Sequence, residues 1–288
     1  MSATLLDGVR IANEIKTEVA ADVKQLSLTG LRPGLAAVLV GHDPGSAVYV
    51  RSKVKACETL GIFSSQIVRP DLRDTDALLE IVRELNRRDE IDGILVQLPL
   101  PREIDSRLIL LEVDPAKDVD GFHPFNVGNL SANHPTLVAC TPLGVMEILR
   151  RSNVAIERRE AVVVGRSDIV GRPMAMLLTN ANATVTVCHT GTKDMTDITR
   201  QADILVAAVG KAKSITADMV TPGTVVIGVG VNFVPDPATG KNKQVGDVDF
   251  DAVKEVASAI TPVPGGTGAV TSTVLMANTV RAAEALSK

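Results

Sequence analysis

A tyrosine and a lysine lie four residues apart in the segment 46–53, directly after the helix-breaking run 41–45. If the segment is helical, Tyr49 and Lys53 share one face, one turn apart. Tyr49 is the only tyrosine of the chain, so a stacking surface would lie beside an amine able to act as an acid or base. The spacing alone also fits an amphipathic helix with ordinary surface residues. The pair is therefore a candidate catalytic and substrate-binding site.

Three other segments contain groups able to bind a ligand. Gln97 ends the apolar run 93–97, and the carboxyl end of a parallel strand is where open α/β sheets place ligand contacts. Asp120 belongs to the segment 117–122, which has three charges. Pro262 and Gly265 lie in a stiff Pro/Gly loop, 261–268, that would admit a ligand close to the backbone. Each segment also has a structural alternative. Gln97 fits a hydrogen-bonded strand end, the segment 117–122 a solvated turn, and the segment 261–268 a plain connector.

The segment 161–173 has the order of a strand, a glycine turn and a helix start. Gly165 permits a sharp turn after the strand, and Gly171 lets the helix approach a ligand or the sheet closely. The free amides at such a helix start face anions, so the segment predicts a mononucleotide-binding unit. Its spacing departs from Gly-x-Gly-x-x-Gly, and a tight turn without a ligand is the alternative.

The end of the next predicted strand bears on the choice of cofactor. A site for NAD usually has an acidic residue there, whereas this chain has His189 and Thr190, with Lys193 close by and Arg166 in the preceding turn. Hydroxyl and guanidinium groups can bind a 2′-phosphate. The sequence therefore favours NADP over NAD. Taken alone, Arg166 also fits a solvated turn and His189 a strand end with one hydrogen bond.

The elements that must position these residues alternate along the chain. Runs rich in Val, Ile and Leu predict strands, and segments with helical periodicity separate them, which indicates an α/β architecture with parallel sheets. The predicted strands are 35–40, 62–68, 93–97, 161–164, 184–188, 204–209 and 225–229. The predicted helices are 9–27, 46–60, 74–87, 141–151, 172–180 and 271–286. The stretch 111–141 shows no periodicity and is predicted to be a long ordered loop, with a domain boundary soon after it.

The composition narrows the possible classes. A chain of 288 residues with 45% apolar and 22% charged residues predicts folded domains, two at roughly 150 residues each. The net charge of −4 and the scarcity of aromatic residues argue against a nucleic-acid partner. Neither a membrane-spanning run nor a signal peptide is visible, so a soluble, cytoplasmic protein is expected. The three widely spaced cysteines predict reduced thiols rather than a disulfide or metal pair.

Taken together, six segments resemble one family, the bifunctional methylenetetrahydrofolate dehydrogenase/cyclohydrolase enzymes of one-carbon metabolism. They occur in the family's order over essentially the whole chain. They are Tyr49-x-x-x-Lys53, Val96-Gln97-Leu98-Pro99-Leu100-Pro101, Lys117-Asp118-Val119-Asp120-Gly121-Phe122, Cys140-Thr141-Pro142, Gly165-Arg166-Ser167-x-x-Val170-Gly171-x-Pro173 and Thr261-Pro262-Val263-Pro264-Gly265-Gly266. The resemblance favours the functional interpretation of each segment over its structural alternative.

The resemblance implies a two-domain fold. Residues 1–150 would form a catalytic, folate-binding domain with the last helix, 271–286, packed back on it, and residues 151–270 a Rossmann-like NADP-binding domain. The implied reactions are oxidation of 5,10-methylenetetrahydrofolate by NADP+ and hydrolysis of the methenyl product to 10-formyltetrahydrofolate. By resemblance, Lys53 handles protons in the hydrolysis, Gln97 positions Lys53, Tyr49 stacks on the folate and Asp120 accepts hydrogen bonds from the pterin. No metal is required, and a homodimer is expected.

The resemblance also implies the remaining site residues. Pro262 and Gly265 would bind folate. The cofactor residues would be Gly165, Arg166, Ser167, Val170, Gly171, His189, Thr190 and Val231. The chain departs from the family at 267–270 and at Gly191, where a basic residue is common. The alternatives are a relative with only one of the two activities and a catalytically silent NADP-binding regulatory protein, against which the intact Tyr49, Lys53, Gln97 and Asp120 argue.

Overall fold

The computed structural model describes residues 2–235 and 242–288, and the chain divides into two compact units. The six-stranded unit comprises residues 1–13 and 141–271, and the three-stranded unit comprises residues 14–140 and 272–288. Both contain parallel sheets, as the apolar strands predict. Within the described ranges, no helix is long and apolar enough to cross a membrane.

The three-stranded unit is built on a parallel sheet in the order β3-β2-β4. Its strands are β2 (Gly34–Val40), β3 (Phe63–Arg69) and β4 (Gly93–Val96). Its helices are the larger part of α1 (Gly8–Leu28), α2 (Pro44–Leu60), α3 (Thr75–Arg87), α4 (Ser106–Glu112), α5 (Pro124–Ser131) and the larger part of α10 (Thr267–Leu286). Every residue of β2 is buried, as expected for a strand covered on both faces. The apolar face of α3, with Leu78, Val82 and Leu85, joins the core of this sheet.

The six-stranded unit has a parallel sheet in the order β1-β11-β8-β7-β5-β6. Its strands are β1 (Thr4–Leu5), β5 (Glu160–Val164), β6 (Thr184–Cys188), β7 (Ile204–Ala207), β8 (Val225–Gly228) and β11 (Ala259–Ile260). Its helices are α6 (Cys140–Arg151), α7 (Gly171–Asn180), α8 (Met195–Thr199) and α9 (Phe250–Val253). An antiparallel ribbon pairs β9 (Val231–Pro235) with β10 (Asn242–Gly246). Because β5 pairs with both β6 and β7, the chain changes direction across the sheet at β5, and ligands bind at the carboxyl ends of strands at such a point.

The unit boundaries differ from the predicted domains at two places. Residues 1–13 belong to the six-stranded unit because β1 pairs with β11, with Thr4 opposite Ala259. A strand of two residues is too short to show a sequence pattern. The other boundary follows Cys140 rather than residue 150, so that α6 belongs largely to the six-stranded unit. The predicted return of the last helix to the first domain is confirmed, since residues 272–288 belong to the three-stranded unit.

The prediction of a continuous loop over 111–141 was wrong at 124–131, which form α5. Pro124 suits a first helical turn because its ring fixes φ, and Nδ1 of His123 accepts the N–H of Phe125 at 3.1 Å. Eight residues span too few turns to reveal helical periodicity. The departing segment 267–270 likewise is no loop, because it forms the first turn of α10.

Candidate active site

Helix α2 places Tyr49 and Lys53 on one face, as their spacing predicts. The helix begins where the carboxylate of Asp43 accepts the N–H of Ser46 at 2.6 Å, and it ends at Gly61, which has a left-handed φ of 79°. Tyr49 is 46% exposed, and Lys53 is half-buried. An exposed ring beside a half-buried amine leaves an aromatic surface available to a ligand.

Lys53 is in contact with Gln97, which directly follows β4. The Nζ of Lys53 donates to Oε1 of Gln97 at 3.1 Å, and Nε2 of Gln97 donates to the carbonyl of Leu98 at 2.7 Å. The second bond fixes which end of the amide faces the lysine, because only the oxygen can accept. The backbone N–H of Gln97 also donates to Val38 in the central strand β2. The rigid sheet therefore fixes the position of the Lys53 amine.

Two of the three charged residues at 117–122 have structural roles. Lys117 is buried, and its Nζ donates to the carbonyls of Asn86 and Arg88 at 3.0 and 2.9 Å. Asp118 is buried, and its carboxylate accepts the backbone N–H groups of Phe122 and His123 at 3.2 and 2.8 Å. These hydrogen bonds fix the conformation of the loop 117–122. The charges of Lys117 and Asp118 are therefore bound by backbone groups of the protein.

The third charge, Asp120, is in a different environment. Its side chain lies deep in the protein but keeps some accessible surface. Burial raises the pKa of this carboxyl to about 6, while the positive charge of Lys53 opposes that shift and the negative charge of Asp118 adds to it. Lys53 is therefore close enough to act on Asp120 electrostatically. The carboxyl of Asp120, the amine of Lys53 and the amide of Gln97 therefore all lie in the three-stranded unit.

The backbone directly before Asp120 is held to the segment around Val138 by a residue that the sequence analysis missed. Asn278 of α10 is fully buried, and its Nδ2 donates to the carbonyls of Val119 and Val138 at 2.9 Å each. The thiol of Cys140 also donates to Val119, at 3.2 Å. The sequence shows only an asparagine within a predicted helix, and this does not reveal what the side chain contacts. Nothing in the sequence therefore connects Asn278 with the Asp120 loop.

Close backbone packing completes this loop. Gly121 has φ +72°, and a Cβ there would lie 2.4 Å from the carbonyl carbon of Val138 and 2.3 Å from the nitrogen of Ala139. The positive φ and the lack of space both exclude a side chain at this position.

The neighbouring thiol of Cys140 is protonated. Burial raises the pKa of this thiol well above its usual value, and the charge of Asp120 adds to the effect. Cys140 therefore remains a neutral thiol and a hydrogen-bond donor.

In the six-stranded unit, the predicted glycine turn follows β5 directly. Gly165 has φ +129°, and a Cβ there would lie 2.2 Å from the carbonyl oxygen of Ala208, the residue after β7. A Cβ on Gly171 would lie 2.2 Å from the carbonyl oxygen of Gly165. The hydroxyl of Ser167 accepts the N–H groups of Val170 and Gly171 at 3.3 and 3.4 Å. The two glycines thus create a tight turn at the start of α7, which fits the close approach of a phosphate.

The other predicted cofactor residues lie at the same carboxyl edge of the sheet. Arg166 and Thr190 are exposed, and His189 follows β6, where its Nδ1 accepts the N–H of Gly191 at 3.0 Å. Val231 begins β9 and is 37% exposed. The donor set of guanidinium, hydroxyl and imidazole, without an acid among residues 188–193, fits a dinucleotide with a 2′-phosphate.

The predicted folate loop, 261–266, lies in the six-stranded unit, after β11. It is joined to the end of β8, because the hydroxyl of Thr261 accepts the N–H of Gly228 at 2.8 Å and that of Thr267 donates to the carbonyl of Gly228 at 2.9 Å. Gly265 has φ +100°, and Pro262 is half-buried. The loop is therefore rigidly attached to the sheet, and its role in folate binding remains a prediction.

Comparison with known proteins identifies the family. The sequence model of the tetrahydrofolate dehydrogenase/cyclohydrolase catalytic domain matches residues 6–120, and that of the NAD(P)-binding domain of the same family matches residues 139–287. The bifunctional protein FolD of Koribacter versatilis is 58% identical over 300 aligned positions, which cover 99% of this chain and 98% of the relative.

Solved structures of the same family match the fold of this chain. The bifunctional FolD enzyme of Campylobacter jejuni matches with a TM-score of 0.94 and 45% identity over 99% of each chain. The Trypanosoma brucei enzyme, solved with NADP cofactor and an inhibitor, matches with a TM-score of 0.94 and 39% identity over 99% of this chain and 98% of that one. The chain therefore belongs to the tetrahydrofolate dehydrogenase/cyclohydrolase family of bifunctional enzymes, with an N-terminal catalytic domain and a C-terminal NAD(P)-binding domain.

Proposed function

We propose that Lys53, Gln97 and Asp120 carry the folate chemistry of this enzyme, which oxidises 5,10-methylenetetrahydrofolate with NADP+ and hydrolyses the methenyl product to 10-formyltetrahydrofolate. The observation that carries the proposal is the Lys53 amine, hydrogen-bonded at 3.1 Å to a Gln97 amide of fixed orientation and acting electrostatically on Asp120. Both observations support a proton-transfer role for Lys53 near an anionic acceptor.

Each residue has a distinct part in this mechanism. The carboxylate of Asp120 accepts N–H bonds from the pterin and orients it, and the exposed ring of Tyr49 stacks on it. In the hydrolytic step, water adds to the methenyl carbon and its oxygen loses both protons. One proton is released, and the other passes to N5 as the bond between N5 and the methenyl carbon breaks, which leaves the formyl group on N10. Lys53 holds or moves the proton at that oxygen, and Gln97 keeps the amine in place. Bound NADP+ supplies the hydride acceptor for the oxidative step.

The proposal is tested by Lys53→Met, assayed separately for methenyl formation and methenyl hydrolysis. Removal of a proton-transfer group should lower cyclohydrolase turnover roughly 10²–10⁴-fold while folate and NADP+ still bind. Lys55→Met is the matched control, since Lys55 is exposed on the same helix. Undiminished hydrolysis by Lys53→Met would contradict the role of Lys53. The two assays of the unmodified protein also exclude, or identify, a one-activity relative or a silent binding protein.

The carboxyl edge of the six-stranded sheet is proposed to bind NADP in preference to NAD. The exposed Arg166 guanidinium and the Thr190 hydroxyl are suited to a 2′-phosphate, and the tight turn at Gly165 and Gly171 leaves room for the pyrophosphate. His189 and Val231, which follow β6 and β8, would contact the nucleoside portions. The NADP complex of the Trypanosoma brucei relative supports this assignment. Equal kcat/KM for NADP+ and NAD+ would contradict it.

Pro262 and Gly265 are proposed to contact the folate. The proposal is supported by the stiff backbone of their loop, which is hydrogen-bonded to the end of β8 through Thr261 and Thr267. The small residues of this loop leave the main chain accessible to a ligand. Pro262→Ala should raise the folate KM with little change in the KM for NADP+. Unchanged folate KM would remove Pro262 from the site.

A homodimeric assembly is also proposed. Exposed apolar side chains lie on the ribbon and on the edge strand β6 of the six-stranded unit, namely Phe233 and Val187, and exposed apolar surface of this kind marks interaction sites. Light scattering should give a dimer mass for the unmodified protein and a lower mass for Phe233→Glu. A monomer mass for the unmodified protein would contradict the proposal.

A cytoplasmic location is inferred from the thiols. Cys57, Cys140 and Cys188 are all buried and free, which is typical of reducing compartments. Recovery of the native protein in a membrane or periplasmic fraction would contradict this location.

A further inference from the structure

A buried carboxylate in the six-stranded unit takes no part in the roles proposed above. Asp247, directly after β10, has 0% of its surface exposed. Its Oδ2 accepts the backbone N–H groups of Val209 and Gly210 at 2.6 and 2.9 Å, and its Oδ1 accepts Nδ2 of Asn232 at 3.0 Å. All three donors are neutral. Hydrogen bonds to a charged acceptor are stronger than neutral ones, and they offset the cost of burying the charge.

The three donors come from two separate segments at the carboxyl edge of the sheet. Val209 and Gly210 follow β7, whereas Asn232 lies in β9, directly after the turn that follows β8. At Gly230 in that turn, a Cβ would lie 2.2 Å from both carboxylate oxygens of Asp247. The turn after β8 therefore packs directly against the carboxylate of Asp247. Through its hydrogen bonds, this carboxylate joins the loop after β7 to the turn after β8.

The first of these loops also bounds the glycine turn. Ala208 donates its N–H to the carbonyl of Val164 at 2.8 Å, and its carbonyl oxygen occupies the space that a Cβ of Gly165 would need. The path of residues 208–210 therefore decides how much room remains at the turn after β5. Val209, which donates to Asp247, and Val231, which precedes Asn232, are each 37% exposed and can offer apolar surface to a ligand.

We propose that Asp247 is a positioning residue for NADP: its carboxylate holds the loops after β7 and β8 in the shape that binds the dinucleotide. It acts through the backbone amides of Val209 and Gly210 and the side chain of Asn232, and does not itself touch the cofactor. The inference rests on the NADP site proposed at this edge of the sheet.

The test is Asp247→Asn, a change of charge with nearly the same shape. The new amide presents a donor where the carboxylate accepted, so at least one N–H bond is lost and the loops shift. The Kd for NADPH should rise roughly ten- to a hundredfold, measured from NADPH emission, to which a chain without tryptophan adds no indole fluorescence. Dehydrogenase kcat at saturating NADP+ should change less than the KM for NADP+, and cyclohydrolase turnover should stay within about twofold.

Asp203→Asn is the control at the opposite end of the same sheet. The carboxylate of Asp203 also accepts a backbone N–H, that of Glu160 at 3.0 Å, but this residue precedes β7 and lies at the amino ends of the strands of the same sheet. The same substitution there should leave the Kd for NADPH unchanged. A rise equal to that of Asp247→Asn would mean that any disturbance of the sheet weakens binding, and would overturn the inference.

A second variant covers the case in which Asp247→Asn does not fold. Asn232 is only partly buried, and Asn232→Ala removes one of the three donors, for which the Kd should rise roughly threefold to tenfold. An unchanged Kd in a folded Asp247→Asn, or in Asn232→Ala when Asp247→Asn is unfolded, overturns the positioning role. Failure of the unmodified protein to bind NADPH would overturn the proposed cofactor itself, and the inference with it.

Discussion

Asp120 should govern the acid side of the pH dependence of folate use. With a pKa of about 6, about nine-tenths of the carboxyls are ionised at pH 7 and about one-tenth at pH 5. The pterin N–H groups require the ionised form as acceptor, so kcat/KM for methylenetetrahydrofolate should fall about tenfold between pH 7 and pH 5. A carboxyl with the ordinary pKa of 3.8 would lose less than about a tenth of its ionised form over that range.

The assay is the initial rate of NADPH formation at low folate concentration, from pH 5 to pH 8. Asp120→Asn should be roughly ten- to a hundredfold lower in kcat/KM at pH 7, because a mispaired buried contact replaces an accepted bond, and its profile should be flat between pH 5 and pH 7. Asp89→Asn is the control, since Asp89 is exposed in the same unit. An acid limb with a midpoint near 4, or a limb that persists in Asp120→Asn, would refute the reasoning.

The electrostatic contact gives a second check on the same group. The charge of Lys53 lowers the pKa of Asp120, so Lys53→Met should move the midpoint above 6. Direct titration of folate binding against pH reports the shift even though hydrolysis is lost. Lys55→Met should leave the midpoint in place, and an equal shift in both variants would show that the lysine acts non-specifically.

Three further outcomes are expected. Because the folded-state pKa of Asp120 is raised, its contribution to stability is fully present below about pH 4 and is lost as pH rises through about 6; calorimetry of the ligand-free protein should show that Asp120→Asn raises Tm at pH 8 and gives no such gain near pH 4. Arg166→Ala should weaken NADP+ use and leave NAD+ use nearly unchanged, and an unchanged ratio of the two kcat/KM values would contradict its role. Asn278→Leu removes the bonds to both backbone carbonyls, so that Val138 loses this donor and Val119 keeps only the Cys140 thiol; the free energy of unfolding in urea should fall by about 1–3 kcal/mol. The control Thr279→Val, which loses a bond within its own helix, should cost less.

The parallel strands could be predicted because each is a short run of apolar, often β-branched residues. The strand Thr184–Cys188 was predicted to the residue, and Gly93–Val96 within one residue. The ribbon β9–β10 was missed because neither of its five-residue strands is a buried apolar run: β9 alternates between exposed and half-buried residues, and the first three residues of β10 are exposed and polar. Strand β1 was missed because pairing with a strand more than 250 residues away, not local sequence, defines it.

The candidate site residues were selected largely by resemblance. Lys53 and Gln97 were selected together in this way, and the structure shows their contact, whereas their roles stay predictions. Among the three charges at 117–122, the resemblance selected Asp120; composition and spacing alone could not, because Lys117 and Asp118 differ from it in the backbone groups that they contact. Asn278 was not found because its partners lie far away in the sequence, and hydrogen bonds of this kind leave no local pattern.

The hydrogen bonds between α10 and the backbone next to Asp120 can form only late in the synthesis of the chain. The three-stranded unit is interrupted by residues 141–271, and the amide that holds Val119 and Val138 arrives only with Asn278. During translation, domains fold as their residues emerge, so the strands of this unit reach the solvent long before its last fastening. A chain that ends after residue 271 contains Lys53, Gln97 and Asp120 but lacks the amide that donates to Val119 and Val138. The bonds that hold the backbone next to Asp120 are therefore among the last that this unit can form during synthesis.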